Sequence, residues 1–462
     1  MNLRAGFTLL VSLQVGSGVF SSPAQVNNHI PSPGISLLLW LFAGLVAWTG
    51  ASSFAELGAA MPVNGGMQEY LHHIYGPFLS FLTAWIWMLA VKPASIAILS
   101  LVFAHSWVDK FLALLVLFTV TLFNCMSMHA TNTMAKAFLY LKLSTVCLLL
   151  LCCLAAVTFG LNLGNDELSS DWKQYNWFSV TKGKSTISWE DIGLWGSFGQ
   201  LTTAIYAGLS LNHLQADMVA GEMADSSENL RRAIQFDLPT VMVCFLCTNI
   251  SYYILLPWDR IGEINTVAVV LCRTNCIRRL RRLDLRFLVS TACLGSLHIN
   301  VFTGARLITG VAQLGYLPAM FNTTGFQGRT HISFLFEVSG AWIRKVKVLT
   351  NSLSSRKSMV LNALITAAYI LVVTFGSLVT FSGLAEYTFF CMTTVGLVIL
   401  RHREPQLPRS SQPFIGFPVI LIAVSFLLVL HGVIAAPVQG TILSVLIASG
   451  IIRHFSRCLL HL

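Results

Sequence analysis

Of the 462 residues, 55% are apolar and 10% are charged, against roughly 45–50% and 25% in an ordinary soluble domain. A transmembrane helix takes about 20 mostly apolar residues, so twelve would use roughly 240 to 290 and leave no room for a sizeable soluble domain. A cytosolic enzyme, a secreted disulfide scaffold and a disordered regulator are all excluded. The net charge of +10 is carried between apolar runs, which points to membrane lipid as the partner and not to nucleic acid.

The apolar runs, in chain order, are about 7–27, 35–60, 78–105, 110–128, 135–161, 190–219, 237–257, 287–312, 359–377, 384–400, 414–434 and 438–453. They predict an all-α integral membrane protein with about 12 transmembrane helices in a single polytopic domain over 1–462. The first run lacks the length, flanks and cleavage signal of a removable leader and reads as a retained helix. With the N-terminus inside, fifteen Lys and Arg fall in cytoplasmic segments and eleven outside, seven of the latter being Arg between 260 and 286. Outside that loop the balance obeys the positive-inside rule. The Arg-rich stretch 273–286 and the polar insertion 325–358 have no evident physical account.

Span 1 carries Gly16, Ser17 and Gly18, then Pro23, in its apolar run. Three small residues in mid-membrane suit an unwound stretch, whose freed amides and positive helix end bind a carboxylate. They equally suit a surface for close helix packing. Lys142 sits inside span 5, where a lysine is costly and marks a functional site unless it snorkels. Glu56, near the inner end of span 2, is expected to be a structural carboxylate bonded to loop amides, with a proton site as the alternative. Snorkelling or a gate ion pair accounts for Lys92 and Arg306, and Asp217 reads as structural. Asn212 and His213 read as a polar vestibule lining in preference to a proton relay. Eight cysteines lie in apolar runs and pack as small hydrophobes; Cys272 and Cys276 have no His beside them, so neither a metal nor a cofactor is expected.

Further matches occur in order along nearly the whole chain: GSGVFSSPAQV (16–26), SPGISLLLWLFAGLVAW (32–48), AELGAAMPVNGG (55–66), VKPAS (91–95), VAGEM (219–223), ENLRRAI (228–234), FTGARL (302–307), GYLP (315–318) and LRHREPQLPR (400–409). On these the chain resembles the amino acid–polyamine–organocation superfamily, and within it the L-type amino acid transporter family in its fungal, methionine-permease-like form. The resemblance implies a five-plus-five inverted repeat, about 7–161 and 190–400, with interrupted helices 1 and 6 and peripheral helices at about 414–453. It implies a sodium-independent secondary carrier of neutral, large L-amino acids at the plasma membrane, working by alternating access.

Carried over residue by residue, substrate binding falls to Gln14, Gly16, Ser17, Gly18 and Val19 of span 1 and to Tyr206, Gly208, Leu209 and Ser210 of span 6. Lys142 matches the lysine whose ammonium stands in for a sodium ion. Span 6 departs from the pattern: after Leu209 the stretch is shortened and lacks the usual aromatic and glycine. That departure keeps open an alternative, a non-transporting amino-acid sensor or decayed paralogue. The 105–110 loop has no cysteine, whereas animal L-type light chains carry one there, so no disulfide-linked heavy chain is expected.

Overall fold

The structure is a computed structural model, and it describes residues 7, 10–11, 14–15, 18–61, 67–105, 110–126, 128–159, 177–178, 226–258, 261, 267, 285–313, 316, 357–407 and 412–460. Among these residues every regular element is helical. The elements are α1 (Gly18–Asn27), α2 (Pro33–Ala60), α3 (Met67–Tyr75), α4 (Pro77–Ile86), a π-helical turn (Trp87–Val91), α5 (Lys92–His105), α6 (Lys110–Met126) and α7 (Met128–Phe159). They continue as α8 (Ser226–Leu255), α9 (Leu285–Gln313), α10 (Lys357–Val372), α11 (Phe375–Arg403), α12 (Gly416–Ala435) and α13 (Pro437–Leu460). Seven helices among the described residues are long and apolar enough to cross a membrane, and Lys110–Cys125 and Lys357–Val372 are shorter apolar helices.

Proline and glycine set several of the boundaries. Pro33 and Pro77 open α2 and α4, where a missing N–H would have had no helical partner anyway. Gly76 joins α3 to α4 at φ +90°, a conformation that costs a side-chain-bearing residue strain. Pro93 lies mid-span and has no N–H to give the Leu89 carbonyl, its partner four residues back. The chain responds by widening: the N–H of Lys92 bonds the carbonyl of Trp87, five residues back. The carbonyl of Leu89 is served from another helix, by the Tyr369 hydroxyl at 3.0 Å.

Packing divides the helices into lipid-facing and interior ones. On α6, Phe111, Leu115, Phe118 and Leu122 are exposed at helical spacing, a stripe that suits hydrocarbon. The interior helix α9 packs against α5, α6 and α7 and buries Ser290, Thr291, Ser296, His298, Asn300 and Thr303. Helices α2 and α8 form another close seam. There Ser36 bonds Tyr253 at 2.7 Å, Trp40 stacks on Phe245 at 5.4 Å, and Gly44 lies so close to Met242 that a Cβ would approach it to 2.8 Å.

At one face Glu56 of α2 pairs with Arg401 of α11, and His73 with Glu404 at 3.1 Å. At the opposite ends the Asn27 amide donates to the Trp258 carbonyl and the Lys110 ammonium to the Leu371 carbonyl, each at 2.9 Å.

Several boundaries differ from the hydropathy reading: α7 begins at Met128 and α8 at Ser226, ahead of the runs that start at about 135 and 237, and α13 continues to Leu460, past the run that ends at about 453. The runs 359–377 and 384–400 become α10 and α11, with the break at Val373 and Thr374. Residues 378–383, expected to connect two spans, lie inside α11. Their hydroxyls are absorbed by the helix itself, Thr380 bonding the Gly376 carbonyl at 3.1 Å and Ser382 the Val379 carbonyl at 3.2 Å.

Candidate functional site

The first span is described on both sides of its small-residue stretch. Gln14 is helical, Val15 is a bend whose N–H reaches the Val11 carbonyl at 2.8 Å, and helix resumes at Gly18. Gly16 and Ser17, between them, lie outside the described residues. Gln14, Gly18 and Val19 are all buried. The Gln14 side chain turns toward α8, where its Nε2 donates to Oδ2 of Asp237 at 2.7 Å. Both side chains are buried, and Gln14 Oε1 and Asp237 Oδ1 meet no hydrogen-bond partner among the described residues.

Lys142 of α7 is fully buried. Its ammonium donates to Oγ of Ser296 on α9 at 2.7 Å. Gly295, beside that serine, makes the approach possible: a Cβ there would stand 2.6 Å from Phe138 Cβ and 3.0 Å from Lys142 Cε. Snorkelling is therefore not what holds this lysine, because its head group points into the protein.

Lys92, expected near a span end, is also buried. Its Nζ lies 5.9 Å from the centroid of the Trp87 ring, within reach of a cation–π interaction. It also interacts electrostatically with buried Glu386 of α11.

Glu56 is buried, and among the described residues Arg401 holds its carboxylate. Arg401 grips it with two parallel bonds, Nε to Oε1 at 3.1 Å and Nη2 to Oε2 at 2.5 Å, and Nη2 also donates to the Pro413 carbonyl at 3.0 Å. A planar guanidinium matches a carboxylate in this bidentate way, which loop amides do only one bond at a time.

The span-6 residues Tyr206, Gly208, Leu209 and Ser210 lie outside the described residues, as do Asn212, His213 and Asp217, the side chain of Arg306, and segments 106–109, 273–284 and 317–356. Among the described residues no group of His, Cys, Asp and Glu is arranged to hold a metal ion. Asp237, Glu386 and Ser296 carry no local signal in the sequence. The first two stand as lone carboxylates at or within apolar runs, and what distinguishes them is a partner far away in the sequence.

Long apolar helices, a lipid-facing rim, and an interior that collects two lysines, three carboxylates and a run of hydroxyls and amides define a multi-span integral membrane protein with a polar core. The amino acid permease family model matches residues 2–452. The chain belongs to that family. It is 26% identical to the b(0,+)-type amino acid transporter 1 of Mus musculus over 98% of this chain and 87% of that protein, and 25% identical to the Homo sapiens protein of that name over the same shares. It is 24% identical to the large neutral amino acids transporter small subunit 2 of Mus musculus, over 97% of this chain and 78% of that protein. These relatives are amino acid transporters and not enzymes, and this chain is likewise an integral membrane protein of amino acid transport.

Proposed function

We propose that the chain is a sodium-independent secondary carrier of large, neutral L-amino acids at the plasma membrane, working by alternating access without a disulfide-linked heavy chain. The observation that carries the reading is the family match over nearly the whole chain, together with relatives named as transporters of amino acids. In this account the substrate's carboxylate is bound by amides of Gly16, Ser17 and Gly18, where the positive end of α1 favours an anion at the membrane midplane. Gln14 and Val19 flank that site. Tyr206, Gly208, Leu209 and Ser210 of span 6 meet the amino group and side chain, and the two halves, about 7–161 and 190–400, act as inverted repeats.

Lys142 supports the sodium independence. Its amino group is buried in the bundle and hydrogen-bonded to Ser296, so the place of a sodium ion is filled by a side chain. Uptake of radiolabelled L-leucine and L-methionine into liposomes holding the purified chain tests this. Equal uptake in sodium and in choline is expected, and sodium-stimulated uptake would overturn the coupling.

The shortened stretch after Leu209 favours a second reading, a protein that binds an amino acid without moving it. Saturable leucine binding with no leucine exchange across the liposome membrane would select that reading over transport.

A further inference from the structure

Two polar side chains stand where membrane helices are ordinarily apolar, and they meet each other. Gln14 lies in the last helical turn before the small-residue stretch of span 1, and Asp237 lies in α8, with 2.7 Å between Nε2 and Oδ2. Asp237 is completely buried, yet its Oδ1 has no partner among the described residues. No Lys, Arg or His forms an ion pair with it among those residues.

Among the described residues, the helices packed against this carboxylate supply no neutralising charge. Helix α1 contains no titratable residue. Helix α2 contains only Glu56, itself gripped by Arg401. On α7 Lys136 is exposed, Lys142 is committed to Ser296, and the remaining described titratable groups are Tyr140 and three cysteines. On α8 itself Arg232 is exposed, five residues toward the helix start and so about 7 Å along the axis from Asp237.

An isolated carboxylate in such surroundings is expensive as an anion and cheap as an acid. Its amide partner serves both forms, because the N–H₂ of glutamine donates to a carboxylate and, with the amide turned over, its carbonyl oxygen accepts from a carboxyl O–H.

We infer that Asp237 is a proton-carrying residue of this permease, which takes up and releases one proton per cycle and passes its state to span 1 through Gln14. The inference rests on the transport reading above. Loading forms an O–H bond on Asp237 with a proton taken from water on the outer side. Unloading breaks that bond, leaves both electrons on the carboxylate, and returns the proton to water on the cytoplasmic side. One proton therefore accompanies one amino acid, with no redox change.

Counterflow and accumulation of labelled L-leucine in liposomes, with an internal pH dye, separate the possible outcomes. The unmodified chain should acidify the lumen during uptake and respond to an inward proton gradient; for one proton per substrate, one pH unit sustains about tenfold accumulation. Asp237→Asn keeps the shape and the bond to Gln14 but cannot titrate. It should retain counterflow while accumulation falls to the equilibrated level and lumen acidification stops. Asp237→Glu should restore part of both, which a merely structural aspartate would not explain. Leucine counterflow without proton movement in the unmodified chain, or gradient-driven accumulation that survives Asp237→Asn, would overturn the inference while leaving the transport reading intact. Absence of counterflow in the unmodified chain would overturn both.

Discussion

Glu56 and Arg401, 345 residues apart in the chain, close one face of the bundle with two parallel hydrogen bonds between a fully buried carboxylate and a guanidinium whose side chain is 12% exposed. The pair ties the end of α2 to the end of α11, and through Pro413 it also holds the turn leading to α12. Removing one partner leaves the other charge buried and unpaired, a loss of about 3–5 kcal/mol, whereas replacing both by apolar residues is far milder.

Glu56→Leu and Arg401→Leu should therefore each lower the melting temperature of the purified protein markedly, and the double variant should recover most of the loss. A double variant as unstable as the two single losses added together would show that the ion pair itself, and not the avoidance of a bare charge, is what holds this face.

The π-helical turn offers a test of backbone accounting. Pro93 withholds the N–H that the Leu89 carbonyl would normally receive, and Tyr369 substitutes for it at 3.0 Å. Tyr369→Phe should cost about 1–3 kcal/mol, the price of an unsatisfied buried acceptor. In a Pro93→Ala background, where the missing N–H is supplied from within the helix, the same change should cost clearly less. Equal melting-temperature losses in the two backgrounds would refute the coupling between proline and tyrosine.

Around Lys142 the prediction is steric. Because a Cβ at 295 would stand 2.6 Å from Phe138 and 3.0 Å from Lys142, Gly295→Ala should destabilise by about 1–3 kcal/mol. It should also reduce leucine uptake as the ammonium is pushed off Ser296. Gly440, where a Cβ would meet nothing closer than 3.7 Å, is the control, and Gly440→Ala should leave both thermal stability and uptake near those of the unmodified chain.

Much of this architecture is legible in the sequence because hydrocarbon imposes one requirement on every span, a run of apolar residues in helical conformation. Hydropathy accordingly locates α2, the α4–α5 span, α6 and α12 within a few residues. It misplaces the break between α10 and α11 because Thr380, Ser382 and Gly383 resemble a loop, although a helix absorbs their hydroxyls on its own carbonyls. The polar core is harder to read. Lys142 stands out by charge alone, but its partner Ser296 is one of many serines, and Asp237 gains its meaning from Gln14, 223 residues away. Pairings of that kind are set by how helices pack, which no local pattern encodes.

The central claim is that an amino acid's carboxylate binds at the interruption of span 1 opened by Gly16, Ser17 and Gly18. The direct measurement is equilibrium binding of radiolabelled L-leucine to the purified chain and to its Gly18→Ala and Gly18→Leu variants, each first checked for a monodisperse, folded species. A side chain at 18 would fill the space the carboxylate needs, so affinity should fall in the order Gly, Ala, Leu, with a loss of at least about tenfold, or ~1.4 kcal/mol, for Gly18→Leu. Leucine binding of unchanged affinity in folded Gly18→Leu protein would contradict the account.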